Sequence, residues 1–348
     1  MPLADLAERL WYGDGAGARA ARAMLSPLSA LYGVAIARIN AASDRTPMSP
    51  APIAVVSIGN LTVGGTGKTP VSAWFASRLQ AAGATPAIVL RGYGGDEVLV
   101  HRLLNPAVPV LADAKRTRGV QRAAQDGADV AILDDAFQHR RAARDADVVL
   151  VSADRWTGDV RLLPAGPFRE PLASLGRASL VIVTVKAAAD AQVRATLAAV
   201  RGATSCPVAC VDLAPTSFVN VATREERALS AWRGARVLAV SAIGDPAAFS
   251  AQLTRLGLDV TPRVFPDHHP FDAADVSRLV QAGEPMDAVI CTLKDAVKLG
   301  SQWPGSARSL WYLSQSVVPR DGADALDVLV RSVLQARRNG PTFPDLSR

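Results

Sequence analysis

Cysteine is scarce, and that excludes two architectures. Cys206, Cys210 and Cys291 are an odd number with no Cys-x-x-Cys pair, so neither a disulfide framework nor a zinc site is indicated, and idle or buried thiols in a reducing cytosol are expected. Aromatics make up only 5% of the chain, and Lys and Arg are spread out rather than clustered among them, which argues against a nucleic-acid binder. No secretory signal opens the sequence: Asp5 and Glu8 come first, the apolar part follows much later, and no small-residue cleavage site is seen. The chain is therefore read as retained in the cytoplasm. There is no internal repeat of fixed period and no low-complexity tract beyond alanine richness.

What is present suffices for a folded, globular chain. With 348 residues, 49% hydrophobic and 20% charged, the chain can form one large or two medium domains with proper cores. A net charge of +6 and a pI near 9.6 suit an anionic partner such as a phospholipid surface, a nucleotide or nucleic acid, among which pI alone does not choose. Residues 24–39 place Leu25, Leu28, Leu31, Tyr32, Ala35, Ile36 and Ile39 on one helical stripe. The segment is short for a spanning helix, and Pro27 and Gly33 weaken it. It fits a helix lying in the membrane interface, with Arg19, Arg22 and Arg38 near anionic headgroups, or an amphipathic helix docked on the domain.

After a Ser-, Pro- and Thr-rich linker at 43–52, short apolar runs alternate with longer helical ones. Residues 53–58, 85–90, 130–133, 147–151 and 180–185 read as strands, and 70–82 and 116–126 as helices. An Ala-rich helical stretch at 186–204 leads into a second unit. There, 236–240, 259–264, 288–292 and 310–313 read as strands, and 247–256, a segment after Phe271 and 323–338 as helices. Continuous Val/Ile/Leu runs without polar alternation imply a parallel sheet covered on both faces. The expected fold is α/β: a P-loop NTPase-like parallel-sheet domain (46–190), a second, smaller α/β domain (191–348) and an N-terminal amphipathic, membrane-associated helical segment (1–45), with a ligand cleft between the two domains.

Thr62-Val-Gly-Gly-Thr-Gly-Lys-Thr69 lies between the apolar strand ending at Ile58 and a helix starting at Pro70, the context a phosphate-binding loop requires. Glycines let backbone N–H groups close around phosphates, and the helix N-terminus adds its positive end. The loop formed by Thr62, Val63, Gly64, Gly65, Thr66, Gly67, Lys68 and Thr69 is thus the expected ATP site, with Lys68 bridging the terminal phosphates and the Thr69 hydroxyl holding Mg2+. The consensus opens with glycine where this chain has Thr62. Val130-Ala-Ile-Leu-Asp-Asp135 is an apolar strand ending in two carboxylates, so Asp134 or Asp135 is expected at the metal. A guanine clamp of the form Asn-Lys-x-Asp is missing. The nearest string, Thr292-Leu-Lys-Asp295, has its lysine one place out of step, which favours ATP over GTP.

Read together, these blocks resemble the bacterial tetraacyldisaccharide 4'-kinases of lipid A synthesis. Gly59-Asn-Leu-Thr-Val-Gly-Gly-Thr-Gly-Lys-Thr-Pro70 is similar to that family's extended loop, including its threonine in place of the first glycine. Arg91-Gly-Tyr-Gly-Gly95, Asp134-Asp-Ala-Phe-Gln-His139, Leu163-Pro-Ala-Gly-Pro-Phe-Arg-Glu170, Ala242-Ile-Gly-Asp-Pro246, Phe265-Pro-Asp-His268 and Thr292-Leu-Lys-Asp-Ala-Val-Lys298 follow in the family's order. The resemblance spans nearly the whole chain. It implies transfer of the γ-phosphate of ATP to the 4'-hydroxyl of a tetraacylated glucosamine disaccharide 1-phosphate, at the cytoplasmic face of the inner membrane. It also implies peripheral attachment through the N-terminal helix and a lipid A disaccharide precursor as partner, with no obligate protein partner. Lys68, Asp135 and His268 would be catalytic, His268 handling the proton. Asn60, Arg91, Tyr93, Gln138, His139 and Arg169 would meet the lipid's phosphate or sugar hydroxyls.

The chain departs from the family after Tyr93. Gly94-Gly-Asp-Glu97 follows at once, without the longer segment whose Ser-Asp-Gly supplies the family's partner for the catalytic histidine. Three consequences are open: His268 works unpartnered, Asp96 or another carboxylate takes the position, or transfer is slow or absent. The alternative functions are a P-loop kinase or GTPase on another small acceptor, and a catalytically impaired nucleotide-binding membrane protein.

Overall fold

The structure is a computed structural model that describes residues 3–45, 48–92, 95–267 and 269–339. Helices α1 (Leu3–Tyr12) and α2 (Ala16–Asp44) precede β1 (Ala54–Asn60), α3 (Lys68–Ala81), β2 (Pro86–Leu90), α4 (Asp96–Leu104), β3 (Val110–Ala112), α5 (Arg116–Gln125), β4 (Val130–Asp134), β5 (Ala146–Ser152) and β6 (Leu180–Val185). The chain continues through α6 (Asp190–Ala203), β7 (Val208–Asn220), β8 (Glu226–Ala228), β9 (Arg236–Ser241), α7 (Pro246–Arg255), β10 (Asp259–Val264), α8 (Ala273–Gly283), β11 (Ala288–Cys291), α9 (Leu293–Leu299), β12 (Leu310–Asp321) and α10 (Ala323–Asn339).

All the strands join one sheet of order β10-β9-β11-β12-β7-β6-β5-β1-β4-β2-β3, with β8 beside β7. Along this order pairing is parallel on each side of the β12–β7 seam and antiparallel at it, and β8 also pairs antiparallel with β7; the seam divides the sheet into a first lobe, β1 to β8, and a second, β9 to β12. Every residue of β1, β4 and β6 is buried, because helices cover both faces. On one face α3 and α10 pack together against the first strands, with Phe75, Leu79, Leu326 and Val330 in a single apolar cluster. On the other face Val120 and Ala123 of α5 pack against Val55, Val89 and Leu133. Helix α6 also covers the first lobe, through Val193 and Val200.

The seam strand β7 is absent from the sequence reading, and its burial pattern explains why. Its middle carries Pro215, Thr216 and Ser217, and its pairing with β12 shifts register between Ser314 and Gln315. Such a bulge admits a proline that a regular central strand would reject. Helices α1 and α4, strands β3 and β8, and the extension of β12 beyond Leu313 likewise appear only in three dimensions.

The expected stripe of α2 divides between two surfaces. One face docks on the loop at 162–170: Ser29 donates to the Leu162 carbonyl at 2.9 Å, Tyr32 to the Arg169 carbonyl at 3.1 Å, and Asn40 to Glu170 at 3.1 Å. Gly33, which by propensity weakens the helix, is where it comes closest: a Cβ there would lie 2.9 Å from Leu162 Cδ1. The opposite face leaves Met24, Leu28, Leu31, Val34 and Ile39 exposed, Met24 by 81% and Leu31 by 66%. Arg22, expected near headgroups, instead donates to the carbonyls of Leu10 and Gly13 at 2.7 and 2.8 Å, and Arg19 to that of Asp14 at 3.1 Å. The turn between α1 and α2 holds carbonyls that need donors, and these guanidiniums supply them.

Candidate active site

The strand β1 ends at Asn60 and α3 begins at Lys68, two residues earlier than the sequence reading placed it. Gly67, the residue before the helix, has φ of 84°, and a Cβ on it would lie 2.6 Å from Leu213 Cδ1, so only glycine fits there. Pro70 falls in the first turn, where a missing N–H costs nothing. No side chain caps α3. Its first N–H groups are left for an anionic ligand.

Parallel pairing sets Asp134 of β4 level with Ile58 of β1, which brings both carboxylates to the loop. The two have opposite surroundings. Asp134 is buried, receives a hydrogen bond from Ser72 Oγ at 3.2 Å, and lies 2.8 Å from Nε2 of the fully buried His101. Burial raises its pKa, but His101 and Lys68 outweigh that and leave it lowered. Asp135 turns into the cavity with a left-handed φ of 53°. Its carboxylate is 3.7 Å from Lys68 Nζ and accepts from Arg169 at 3.1 Å. Burial again pushes upward, yet Lys68 and Arg169 bring it down to about 2.

Asn60 is the hub behind this pair. Its Oδ1 accepts from Lys68 at 3.3 Å and from Arg169, its side-chain amide donates to the Thr62 carbonyl at 2.9 Å, and its own carbonyl accepts from Gln138 at 3.0 Å. Asn60, Lys68, Asp135, Gln138 and Arg169 therefore form one network. Arg91 and His139 stand to one side of it: burial lowers the His139 pKa, and repulsion by Arg116 and Arg91 lowers it further. The expected site residues Tyr93 and His268 lie outside the described residues.

A cavity of about 400 Å³ opens over the loop. Its first wall is residues 62–70 with Asp135, Arg169 and Lys186; its second includes Gly244, Asp245, Phe249, Gln252, Asp267, Lys294 and Gln315. Asn60, Asp134 and Gln138 sit behind the first wall and brace it. Glu97 of α4 spans the gap to Lys294 of α9 at 3.2 Å, and Asp96 is buried 3.8 Å from Lys298. Among the described carboxylates that line the cavity are Glu97, Asp135, Asp245 and Asp267, while Asp96 does not reach it.

Sequence reasoning did not single out Ser72, His101, Arg116 or Lys186. Arg116 donates to the Asp134 carbonyl at 3.3 Å, and Lys186 to the Gly65 carbonyl at 3.2 Å from a position where burial lowers its pKa. A signal for Lys186 existed: it immediately follows the apolar strand β6, on the edge of the sheet where such folds hold ligands. For a divalent cation, Thr69 and Asp135 both line the cavity and offer hard oxygens. No group of three or more His, Cys, Asp or Glu able to hold a metal occurs among the described residues. The donor set fits Mg2+ carried in with a nucleotide, whose phosphates and waters complete the shell.

A glycine loop between a buried parallel strand and an uncapped helix, with an acid from the next strand beside its lysine, defines a P-loop nucleotide-dependent enzyme. The family model for tetraacyldisaccharide-1-P 4'-kinase matches residues 21–335, and the chain belongs to that family. It is 37% identical over 332 residues to the tetraacyldisaccharide 4'-kinase of Halorhodospira halophila (strain DSM 244 / SL1), covering 89% of this chain and 91% of the relative. Identity to the enzyme of Aromatoleum aromaticum is 40% over 269 residues, covering 72% and 76%. The crystal structure of the "apo" form of LpxK from Aquifex aeolicus in complex with ATP superposes with a TM-score of 0.70 at 26% identity, covering 90% of this chain and 99% of that one.

Proposed function

We infer that this protein transfers the γ-phosphate of ATP to the 4'-hydroxyl of a tetraacyldisaccharide 1-phosphate. The observation that carries the reading is the convergence of Lys68, Asp135 and Arg169 on one cavity in a member of this family. Phosphoryl transfer through a loose transition state needs alignment and charge neutralisation more than covalent help. Lys68 and the free N–H groups of α3 bind and neutralise phosphate oxygens. A bound Mg2+ would add charge stabilisation between the phosphates. Thr69 and Asp135 would hold it, with Asp134 fixing the strand end through Ser72 and His101 rather than reaching into the cavity. Lys68 and Arg169 hold the Asp135 carboxyl down at about 2, which makes it a weak base and suits it to a metal ligand rather than a proton acceptor. That role is proposed for His268. Arg169, Arg91, Tyr93, Gln138 and His139 are proposed to meet or orient the acceptor.

The first lobe is proposed to bind ATP and the second to close the cleft. Helix α2 is proposed to hold the protein on the cytoplasmic face of the inner membrane. It is the one helix among the described residues long and apolar enough to cross a membrane, yet its side contacts from Ser29 to Asn40 favour lying on the surface. Leu28→Asp combined with Leu31→Asp should abolish sedimentation with anionic liposomes; unchanged sedimentation rejects this membrane role. The kinase reading is tested by transfer from labelled ATP to a tetraacyldisaccharide 1-phosphate in mixed micelles, with Lys68→Ala and His268→Ala as controls. Product from the wild type, lost in Lys68→Ala, supports it. ATP binding without transfer at any pH favours the catalytically impaired alternative.

A further inference from the structure

Arg155 follows β5 and has no part in the chemistry above, yet it joins three separate regions. Its side chain is only 10% exposed. Nη1 donates to the Gly244 carbonyl at 2.6 Å and lies 3.8 Å from the Asp245 carboxylate, both in the second lobe. Nη2 donates to Glu8 of α1, and the guanidinium lies 4.2 Å from the centre of the Tyr12 ring. The group also borders the phosphate loop: a Cβ on Gly64 would be 3.8 Å from Arg155 Nε and Cζ. Gly244, held by this arginine, lies beside the same loop: a Cβ there would be in van der Waals contact with the Gly65 nitrogen at 3.5 Å.

We propose that Arg155 is a positioning residue through which the N-terminal helices set the affinity for nucleotide, by seating the Gly244-Asp245 turn against the phosphate loop. A guanidinium suits this task because its planar fork serves two directions at once while its face stacks on an aromatic ring. The lever is continuous in space. Helix α2 holds α1 through the bonds from Arg22 to Leu10 and Gly13. Trp11 of α1 fixes it by donating to the Pro164 carbonyl at 2.9 Å. Glu8 and Tyr12 then orient Arg155, which holds Gly244. Glu8 does not line the nucleotide cavity, and its hydrogen bond there is to Arg155; its charge also acts on Asp245 and Asp267, so its effect is read in the wild type and in Arg155→Ala together. The proposal rests on the reading that residues 62–69 bind the nucleotide.

The test is calorimetric binding of a non-hydrolysable ATP analogue with Mg2+ to the full-length protein. Arg155→Ala should weaken binding about tenfold, and Arg155→Lys should not restore it, because one ammonium cannot serve both Gly244 and Glu8. Glu8→Gln should weaken it about threefold in the wild type and not at all in Arg155→Ala, the non-additivity expected of residues acting through one partner. A structural role alone would lower the thermal midpoint and leave the dissociation constant unchanged. Lys68→Ala is the control: weakening there with Arg155→Ala and Glu8→Gln unchanged overturns the proposal and keeps the site. Unchanged binding in Lys68→Ala overturns the site reading itself. If Arg155→Ala does not fold, Glu8→Gln and Tyr12→Leu carry the test, and wild-type affinity in both rejects the coupling.

Discussion

The two walls of the cleft are built in different ways. The first is nearly continuous in sequence: the strand β1, the glycine loop and the first turn of α3 provide backbone N–H groups, with Asp135 added from the neighbouring strand. The second is gathered from the loop after β9, from α7, from α9 and from β12, each contributing a side chain or two. A wall that grips phosphate through backbone groups must spend glycines at fixed positions, and Lys68 is the cation carried within the phosphate loop itself. A wall of separate side chains shares its work, so each member carries less.

The largest expected effect therefore falls on the first wall. Lys68→Ala should lower kcat/KM about a thousandfold with unchanged circular dichroism, since the ammonium stabilises charge that grows in the transition state. Near-normal turnover in a folded variant would break the contrast between the walls. The two aspartates come next and separate function from support. Asp135→Asn should cost about a hundredfold in kcat and raise the Mg2+ concentration required, with little change in stability. Asp134→Asn leaves His101 buried without its anionic partner and should cost about 3 kcal/mol in denaturant unfolding. If Asp134→Asn proved stable but lost its metal dependence, the roles given to the pair would be reversed.

On the second wall, Gln315 donates to Gln252 at 2.7 Å, and Gln252 in turn donates to the Leu213 carbonyl at 3.4 Å. Gln315→Ala removes a single neutral hydrogen bond. It should raise the KM for ATP about threefold and leave kcat alone. A kcat loss as large as that of Asp135→Asn would show that the second wall takes part in the chemistry.

The same contrast explains what was legible in the sequence. The strands at 53–58, 130–133 and 180–185 were readable because full burial on both faces demands uninterrupted apolar residues. The phosphate loop was readable because its backbone geometry demands glycine. The seam between the lobes was not: β7 is interrupted by Pro215, Thr216 and Ser217, and its neighbour β12 reads as a strand only over its apolar start, before Ser314. Nor could spacing separate Asp134 from Asp135. They are adjacent in sequence, and only the packing of α3 and α4 decides that Ser72 and His101 face the first of them. Likewise the stripe on α2 gave its amphipathic character but not its division into docked and exposed faces, because the docking contacts of Ser29, Tyr32 and Asn40 are made with residues more than a hundred positions away.

The smallest expected effect concerns pH and the edge of the first wall. Burial lowers the His139 pKa, and the charges of Arg116 and Arg91 lower it further, so the folded protein holds the ring neutral more firmly than the unfolded chain does. As pH falls below about 6.5, the ordinary histidine value, the unfolded state takes up a proton that the folded state resists, and stability must decline. Asp135 behaves otherwise: its stabilisation is present above about pH 4 and is lost only as pH falls towards its folded value. Between about pH 7 and pH 5 the slope of stability therefore carries a contribution from His139 and none from Asp135. His139→Gln should flatten that slope by less than about 1 kcal/mol over the interval, measured as urea midpoints at a series of pH values, and Asp135→Asn should leave it unchanged. A steeper slope in His139→Gln would mean that the folded site welcomes the proton despite the charges of Arg116 and Arg91.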